Sequence, residues 1–258
     1  MIYSECCFNI NNKNKACLLL TSICNLNCAY CFSKCSNRDI SLSPDNFNDL
    51  ILNLTENNIK YVVLSGGEPL LYKDIYKIIK KLSNEDFEIS MCTNATLATD
   101  KVCKQLFDCG LKKVTISFDD VKKEQFDMIT GQKGSYDKVV QGIQNFVNNS
   151  FDVTINVVIN DSDCKKIDEI VNWATKMEVK EICFTLPVCK TGDIFSPNEK
   201  TVQKLYSYLN KISMDANIAI EFNNPKCNSD ACPSKNSIWG VHTNGKAGEC
   251  LVKHFLKR

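Results

Sequence analysis

The sequence predicts an α/β protein: a partial (β/α)6 barrel followed by a small C-terminal extension that contains a β-hairpin. Between Lys15 and Leu186, six short runs rich in Val, Ile and Leu alternate with amphipathic stretches, as buried parallel strands alternate with crossover helices. Six such units are too few to close an eight-stranded barrel. Near residue 216 the pattern changes to a segment with cysteines and an Asn-Gly turn. We therefore expect a core over residues 1–215 and an extension over residues 216–258.

Each predicted strand is a short apolar run, rich in β-branched residues and bounded by polar or turn residues. In a parallel sheet with right-handed crossovers, the loops that follow the strands collect at one edge. That edge is where the site is expected. The strands are predicted at Ala16–Ser22, Tyr61–Ser65, Phe87–Thr93, Val114–Phe118, Val153–Ile159 and Glu181–Leu186.

The predicted helices are recognised by their end signals and by apolar residues at helical spacing. Ser43-Pro44 is an N-terminal cap that opens one helix, and Gly110 is a stop signal that ends another. The helices are predicted at Asp45–Asn57, Tyr72–Leu82, Asp100–Cys109, Tyr136–Asn148, Asp163–Met177 and Ser196–Met214.

The extension is predicted to contain one short strand and one hairpin. Ile218–Phe222 is the strand. The hairpin runs through Ser237–His242, turns at Asn244-Gly245 and returns through Ala247–Val252. Asn-Gly is a strong signal for a hairpin turn.

Charge and composition exclude several classes of function. The 31 Lys and Arg nearly balance the 30 Asp and Glu, which disfavours nucleic acid or an anionic membrane as the main partner. No apolar run approaches the roughly 20 residues of a membrane span, and the N-terminal residues lack the pattern of an export signal. We therefore expect a cytoplasmic protein. Its 16 cysteines and two histidines then predict thiolates that bind metal or carry out redox chemistry.

The strongest motif is a cysteine triplet after the first predicted strand. Cys24, Cys28 and Cys31 have CxxxCxxC spacing. Three thiolates on one loop can bind three irons of a [4Fe–4S] cubane and leave the fourth iron open to another ligand. A zinc site is a second interpretation, although zinc more often uses paired CxxC arms, and buried cysteines without metal are a third.

The second motif, Gly66-Gly67-Glu68-Pro69, follows the second predicted strand. Two glycines let the backbone approach a ligand closely, with its N–H and C=O groups available for bonding. The Glu68 carboxylate can pair with a cationic group. The alternative interpretation is a plain strand-to-helix turn that ends at Pro69.

Together these motifs resemble those of the radical S-adenosylmethionine (SAM) superfamily. The resemblance covers roughly Lys15 to Leu186 and includes further segments at successive strand ends. It implies that Cys24, Cys28 and Cys31 bind the cluster and that GGEP binds the amino group of SAM. It also implies cofactor-binding positions at Tyr30, Gly66, Gly67, Glu68, Pro69, Thr93, Asn94, Ser117 and Asp119, with Asp119 on the ribose.

The resemblance also implies a reaction. One electron, from a donor such as flavodoxin or ferredoxin, reduces the cluster, and SAM is cleaved to a 5′-deoxyadenosyl radical that abstracts hydrogen from substrate. One position departs from the family. Related proteins often carry an Arg near Thr130 that binds the SAM carboxylate, and Thr cannot form that bidentate pair. Lys133 or a backbone N–H is expected to replace it.

A third group of cysteines lies near the C-terminus. Cys232, Gly245 and Cys250 fit the spacing C-x(9–15)-G-x4-C, and Cys227 is the natural third ligand. This resembles the SPASM and twitch extensions of the superfamily and implies a second, auxiliary [4Fe–4S] cluster. The alternatives are a structural zinc and a merely cysteine-rich tail. Cys189 is a candidate hydrogen donor or extra ligand.

The substrate is inferred by analogy with enzymes that carry such extensions. The leading interpretation is a ribosomally made peptide that is crosslinked or epimerised. No leader-binding domain is expected before the first strand, so a separate leader-peptide-binding protein is an expected partner. The alternative is a small-molecule enzyme, including one that resembles the molybdenum-cofactor cyclase. A non-catalytic iron–sulfur protein is disfavoured because it would not need the SAM-binding motifs.

Overall fold

The protein, described here from a computed structural model, is an α/β protein in which strands and helices alternate. The structure describes residues 14–31, 41–159, 163–187, 198–223, 238–241 and 247–248. The strands are β1 (Lys15–Thr21), β2 (Tyr61–Gly66), β3 (Glu88–Thr93), β4 (Lys113–Ser117), β5 (Asp152–Val158), β6 (Glu181–Thr185), β7 (Ala219–Asn223), β8 (Ile238–Val241) and β9 (Ala247–Gly248). The helices are α1 (Phe47–Glu56), α2 (Ile75–Asn84), α3 (Asp100–Asp108), α4 (Lys123–Thr130), α5 (Ser135–Asn148), α6 (Cys164–Lys176) and α7 (Glu199–Asp215).

The described strands form one open sheet in the order β7-β6-β5-β4-β3-β2-β1-β8-β9. Neighbouring strands from β1 to β7 are parallel, and β8 is parallel to β1. The two ends of the sheet, β7 and β9, are not bonded to each other. The predicted fold class, a partial α/β barrel, is therefore confirmed.

The two faces of the sheet differ in what covers them. Leu18, Leu64 and Ile116 belong to the large core between the strands and the helices, and each is completely buried. On the opposite face, Cys17 and Val63 belong to a much smaller apolar cluster. Because side chains alternate between the faces of a strand, the small cluster lies on the face turned away from the helices. This inner face leaves room for polar side chains and a cavity.

Helix α4 is the one described α-helix that the sequence analysis did not predict. Phe126 and Thr130 are its buried residues, while Met128 is largely exposed. Two buried positions give little helical periodicity to recognise. The signal that was present is Gly131, which caps the helix in the left-handed conformation at φ 68°.

The predicted C-terminal strands join the same sheet. β7 is hydrogen-bonded to β6 in parallel register. β8 and β9 form the predicted antiparallel pair, with Gly240 opposite Gly248, and β8 also pairs with β1. The residues of the predicted turn, including Gly245, lie outside the described ranges. The boundary between core and extension at residues 215 and 216 stays a prediction. Among the described helices, none combines the length and apolarity that a membrane crossing requires.

Candidate active site

The loops at the carboxyl ends of the strands enclose a cavity of about 210 Å³ that collects most of the predicted site residues. A larger space of about 610 Å³ opens at the amino ends of the strands, but its wall contains none of them. The predicted residues that line the smaller cavity are Cys24, Cys28, Tyr30, Cys31, Gly66, Gly67, Thr93, Asn94, Ser117 and Asp119.

The three cysteines have the properties expected of cluster ligands. All three thiols are free and at least partly exposed. Burial, followed by the charges of Asp119 and the other two thiols, raises the pKa of Cys28 to about 12. Burial, with smaller contributions from Glu68 and Cys31, also raises the pKa of Cys24. Three thiolates on one loop would repel one another, and the irons of a cluster would neutralise them.

Three cysteines on one loop match the ligand set of a cubane. Each cysteine would bind a different iron, and the fourth iron would stay open to another ligand. The donor set therefore fits a [4Fe–4S] cluster.

Helix α4 holds the cysteine loop in place through its C-terminal carbonyls. The Asn27 N–H donates to Thr130 O and the Ala29 N–H donates to Ile129 O, both at 2.9 Å. Helix C-termini have unpaired carbonyls, and here two backbone N–H groups of the loop satisfy them. Gly131 lies so close that a Cβ atom at this position would be 2.8 Å from Asn27 O.

Tyr30 and Asp119 connect the cysteine loop to the end of β4. The Tyr30 hydroxyl donates to Asp119 Oδ2. The Val158 N–H donates to Asp119 Oδ1 at 2.7 Å. Burial raises the pKa of Asp119 to about 6, against the opposing effect of these hydrogen bonds. Among the residues described in the cavity lining, Asp119 is the one that carries a charge. The resemblance to the superfamily assigns this residue a contact with the ribose of SAM.

Gly66 and Gly67 permit close contact with the chain that leads into the cysteine loop. A Cβ atom on Gly66 would be 2.4 Å from Thr21 O, and one on Gly67 would be 2.1 Å from Ile23 O. The Gly67 N–H donates to Thr21 O at 2.7 Å, and the Glu68 N–H donates to Ile23 O at 2.8 Å. The sequence analysis explained the glycines by approach to a ligand. In the structure, backbone packing against the chain after β1 also requires them.

The side chain of Glu68 is buried and fully engaged with the protein. Its Oε1 accepts from Thr93 Oγ1 at 2.6 Å and from the Leu70 N–H at 3.0 Å. Its Oε2 accepts from the Asn94 N–H at 2.7 Å. Burial raises the pKa of Glu68, and these three bonds oppose the shift. Glu68 and Pro69 are both buried and outside the described cavity lining. The carboxylate thus joins the loop after β2 to the loop after β3.

Thr130 stands where related proteins often carry an Arg, and its hydroxyl is already hydrogen-bonded within the protein. Thr130 Oγ1 is bonded to Phe126 O at 3.0 Å and to Ser135 Oγ at 2.7 Å. Lys133 is exposed and does not line the described part of the cavity, whose residues include no Lys, Arg or His. Within that lining, a carboxylate ligand would be bound by neutral donors.

The sequence analysis missed a polar patch on the inner face of the sheet. Thr115, Asn156 and Thr185 also line the cavity, and Thr185 Oγ1 donates to Asn156 Oδ1 at 2.6 Å. The available signal was a polar residue at alternate positions of otherwise apolar strands.

Four predicted site residues have no described structure. Cys189, Cys227, Cys232 and Cys250 all lie outside the described ranges. Their assignment stays a prediction. Of the other cysteines, Cys92 lines the cavity beside the predicted site.

Comparison with known proteins identifies the family. Residues 18–174 match the family description "Radical SAM superfamily". The chain belongs to this superfamily. Membership makes it an enzyme of the radical SAM class and implies a [4Fe–4S] cluster and SAM as cofactors.

Two relatives in sequence are named as cyclases. The GTP 3′,8-cyclase of Clostridium perfringens is 38% identical in an alignment 164 residues long, and the match covers 61% of this chain and 50% of that protein. The probable GTP 3′,8-cyclase of Sulfurisphaera tokodaii is 29% identical in an alignment 252 residues long, and the match covers 91% of this chain and 80% of that protein. The chain thus spans half the length of the first relative.

The fold is also similar to that of a peptide-bound protein. The crystal structure of Streptococcus suis SuiB bound to the precursor peptide SuiA superposes with a TM-score of 0.79 at 17% identity. The match covers 96% of this chain and 61% of SuiB. SuiB bound to S-adenosylmethionine gives a TM-score of 0.77 at 18% identity. At this identity the likeness shows a shared fold.

Proposed function

We propose that Cys24, Cys28 and Cys31 hold a [4Fe–4S] cluster that binds SAM, and that the enzyme abstracts hydrogen from a small-molecule substrate. The observation that supports this most strongly is the common cavity. Three free cysteines and segments from three other strand ends, far apart in sequence, line the same space of about 210 Å³. When bound, the cluster and SAM supply a 5′-deoxyadenosyl radical.

The surrounding residues prepare the cavity for these cofactors. The backbone of Gly66 and Gly67, fixed by its contacts with Thr21 and Ile23, is the proposed partner of the SAM amino group. Asp119, oriented by Tyr30, is the proposed partner of the ribose. The SAM carboxylate is assigned to neutral donors of the lining. These groups are held before the ligand arrives, which reduces the entropy lost on binding.

A small molecule is the better-supported substrate class, with a purine nucleotide as the first candidate. The support is the similarity to proteins named GTP 3′,8-cyclase, one of which aligns with 91% of this chain. Asp119 is the charged group of the described lining, so the phosphates of GTP would have to be bound by other side chains. Peptide modification, the leading expectation from sequence, has support from likeness of fold alone, as in SuiB bound to the precursor peptide SuiA.

We also propose that Cys227, Cys232 and Cys250 hold an auxiliary cluster of the twitch type, which is an inference from their spacing. A flavodoxin or ferredoxin would supply the electron. A cytoplasmic location would keep the thiols reduced.

The substrate class is tested by supplying candidates to the reconstituted enzyme. The full-length protein is incubated anaerobically with SAM, dithionite and either GTP, guanosine or a panel of peptides, and products are analysed by mass spectrometry. The proposal expects 5′-deoxyadenosine together with a new product derived from GTP or guanosine. Modification of a peptide, with both nucleotides unchanged, would contradict the small-molecule assignment and restore the peptide hypothesis.

A further inference from the structure

Asn94 links the buried carboxylate of Glu68 to the sulfur of Cys24. Its backbone N–H donates to Glu68 Oε2 at 2.7 Å. Its side-chain Nδ2 lies 3.8 Å from Cys24 Sγ, within the longer range of a hydrogen bond to sulfur. The Leu26 N–H is a second donor, 3.5 Å from the same sulfur. Cys24 Sγ therefore receives two N–H groups from the protein.

The surrounding bonds fix which way the Asn94 amide points. Asn94 Oδ1 accepts from the Thr96 N–H at 3.0 Å and from Thr96 Oγ1 at 2.6 Å. A backbone N–H can only donate, so the oxygen must face Thr96. Nδ2 then faces Cys24 and also donates to Asn25 Oδ1 at 3.0 Å. Asn25 Nδ2 donates to Thr96 Oγ1 at 2.8 Å, which closes a ring of bonds.

We propose that Asn94 is a positioning residue that fixes the Cys24 sulfur and raises the reduction potential of the cluster bound there. This rests on the proposed function, because it requires a cluster on Cys24. Reduction adds an electron that is shared by the irons and sulfurs. An N–H dipole directed at a ligating sulfur therefore stabilises the reduced cluster more than the oxidised one.

Glu68 contributes to this arrangement through Asn94. Its carboxylate is 1% exposed and holds both the Thr93 hydroxyl and the Asn94 N–H. The GGEP glutamate thus supports the donor of a cluster ligand instead of lining the cavity. Asn94 in turn acts toward the cluster as well as lining the SAM cavity.

The test measures the cluster potential without SAM, so that a contact between Asn94 and SAM cannot contribute. Full-length wild type and Asn94→Ala are reconstituted anaerobically and titrated by EPR. If two clusters are present, the EPR signal that changes when SAM is added to a separate sample belongs to the SAM-binding cluster. That signal is the one whose potential is compared. At the wild-type midpoint we expect the ratio of reduced to oxidised cluster in Asn94→Ala to be about tenfold lower, which is a potential about 59 mV lower for one electron.

Asn25→Ala is the matched control. It breaks the same ring of bonds but removes no donor to sulfur, so its potential should equal that of wild type. An unchanged potential in Asn94→Ala with normal iron content would overturn the proposal, and so would an equal fall in Asn25→Ala.

A second variant covers the case in which Asn94→Ala loses its iron. Asn94→Asp keeps the oxygen that faces Thr96 and replaces the donor to Cys24 with an oxygen. Its potential should be lower than that of wild type, and an unchanged value would overturn the proposal. If wild type itself binds no iron, or its signal does not respond to SAM, the proposed function fails instead.

Discussion

At the residue scale, the candidate site depends on two buried carboxylates whose oxygens are already bound by the protein. Glu68 accepts three hydrogen bonds and Asp119 accepts two. The sequence indicated that both residues matter, through their motifs. It could not indicate these partners, because Glu68 meets Thr93 and Asp119 meets Val158 only in the folded sheet.

Glu68→Gln should destabilise the protein although the two side chains have the same shape. Both carboxylate oxygens face a backbone N–H, those of Leu70 and Asn94, so a glutamine must direct its NH2 group against one of them. A buried donor left without an acceptor costs about 1–3 kcal/mol. Chemical denaturation should show a loss of that size. Unchanged stability would mean that the three bonds are not maintained in solution.

Asp119 should make the stability of the iron-free protein fall as pH rises. Burial raises its pKa from 3.8 to about 6. Because the folded state holds the proton more tightly than the unfolded state, this stabilisation is present below about pH 4 and is lost by about pH 6. At 1.36 kcal/mol per pKa unit the loss is about 3 kcal/mol.

Asp119→Asn is the matched control for this pH dependence. An asparagine can still accept from the Val158 N–H and can donate to the Tyr30 oxygen. The difference in unfolding free energy between wild type and Asp119→Asn should therefore fall across pH 4–6. A difference that is constant with pH would contradict the assignment.

At the element scale, the apolar runs that predicted strands 1 to 6 lie within about one residue of β1 to β6. They could be recognised because the face of each strand that packs on the helices is buried and apolar. The role of helix α4 at the site could not be predicted, because α4 contacts the cysteine loop through backbone groups. Its last carbonyls hold the cysteine loop at Asn27 and Ala29, and backbone bonds leave no pattern of residue types.

Gly131→Ala should therefore loosen the cysteine loop. The new methyl group would be 2.8 Å from Asn27 O, in addition to the strain of a left-handed residue. Gly134→Ala is the matched control, because Gly134 is also left-handed, at φ 78°, but its Cβ would meet nothing within 4 Å. We expect Gly131→Ala to lower both iron content after reconstitution and thermal stability. Equal effects of the two variants would show that only backbone strain matters.

At the scale of the whole molecule, the sheet brings residues from distant parts of the chain to one edge. The cysteine triplet, the GGEP motif, Thr93 with Asn94, and Ser117 with Asp119 were recognised separately in sequence. Parallel strand order then places all of them except Glu68 and Pro69 around one cavity. The inner-face residues Thr115, Asn156 and Thr185 were not predicted, because their importance depends on how the sheet curves around the cavity.

The C-terminal cysteines make a prediction about the whole chain. If they hold a second cubane, the reconstituted protein should contain about eight irons, on the basis of one cubane per thiolate set. Replacing Cys232 and Cys250 by Ala should leave about four. A wild-type value of about four irons, unchanged in this variant, would rule out the auxiliary cluster.

The measurement that tests the central claim most directly is the formation of 5′-deoxyadenosine from SAM. Wild-type protein, reconstituted anaerobically and reduced with dithionite, should produce it. The variant with Cys24, Cys28 and Cys31 all replaced by Ala should produce none while keeping the circular dichroism spectrum of the folded protein. Continued cleavage of SAM by that folded variant would contradict the assignment of these cysteines to the cluster.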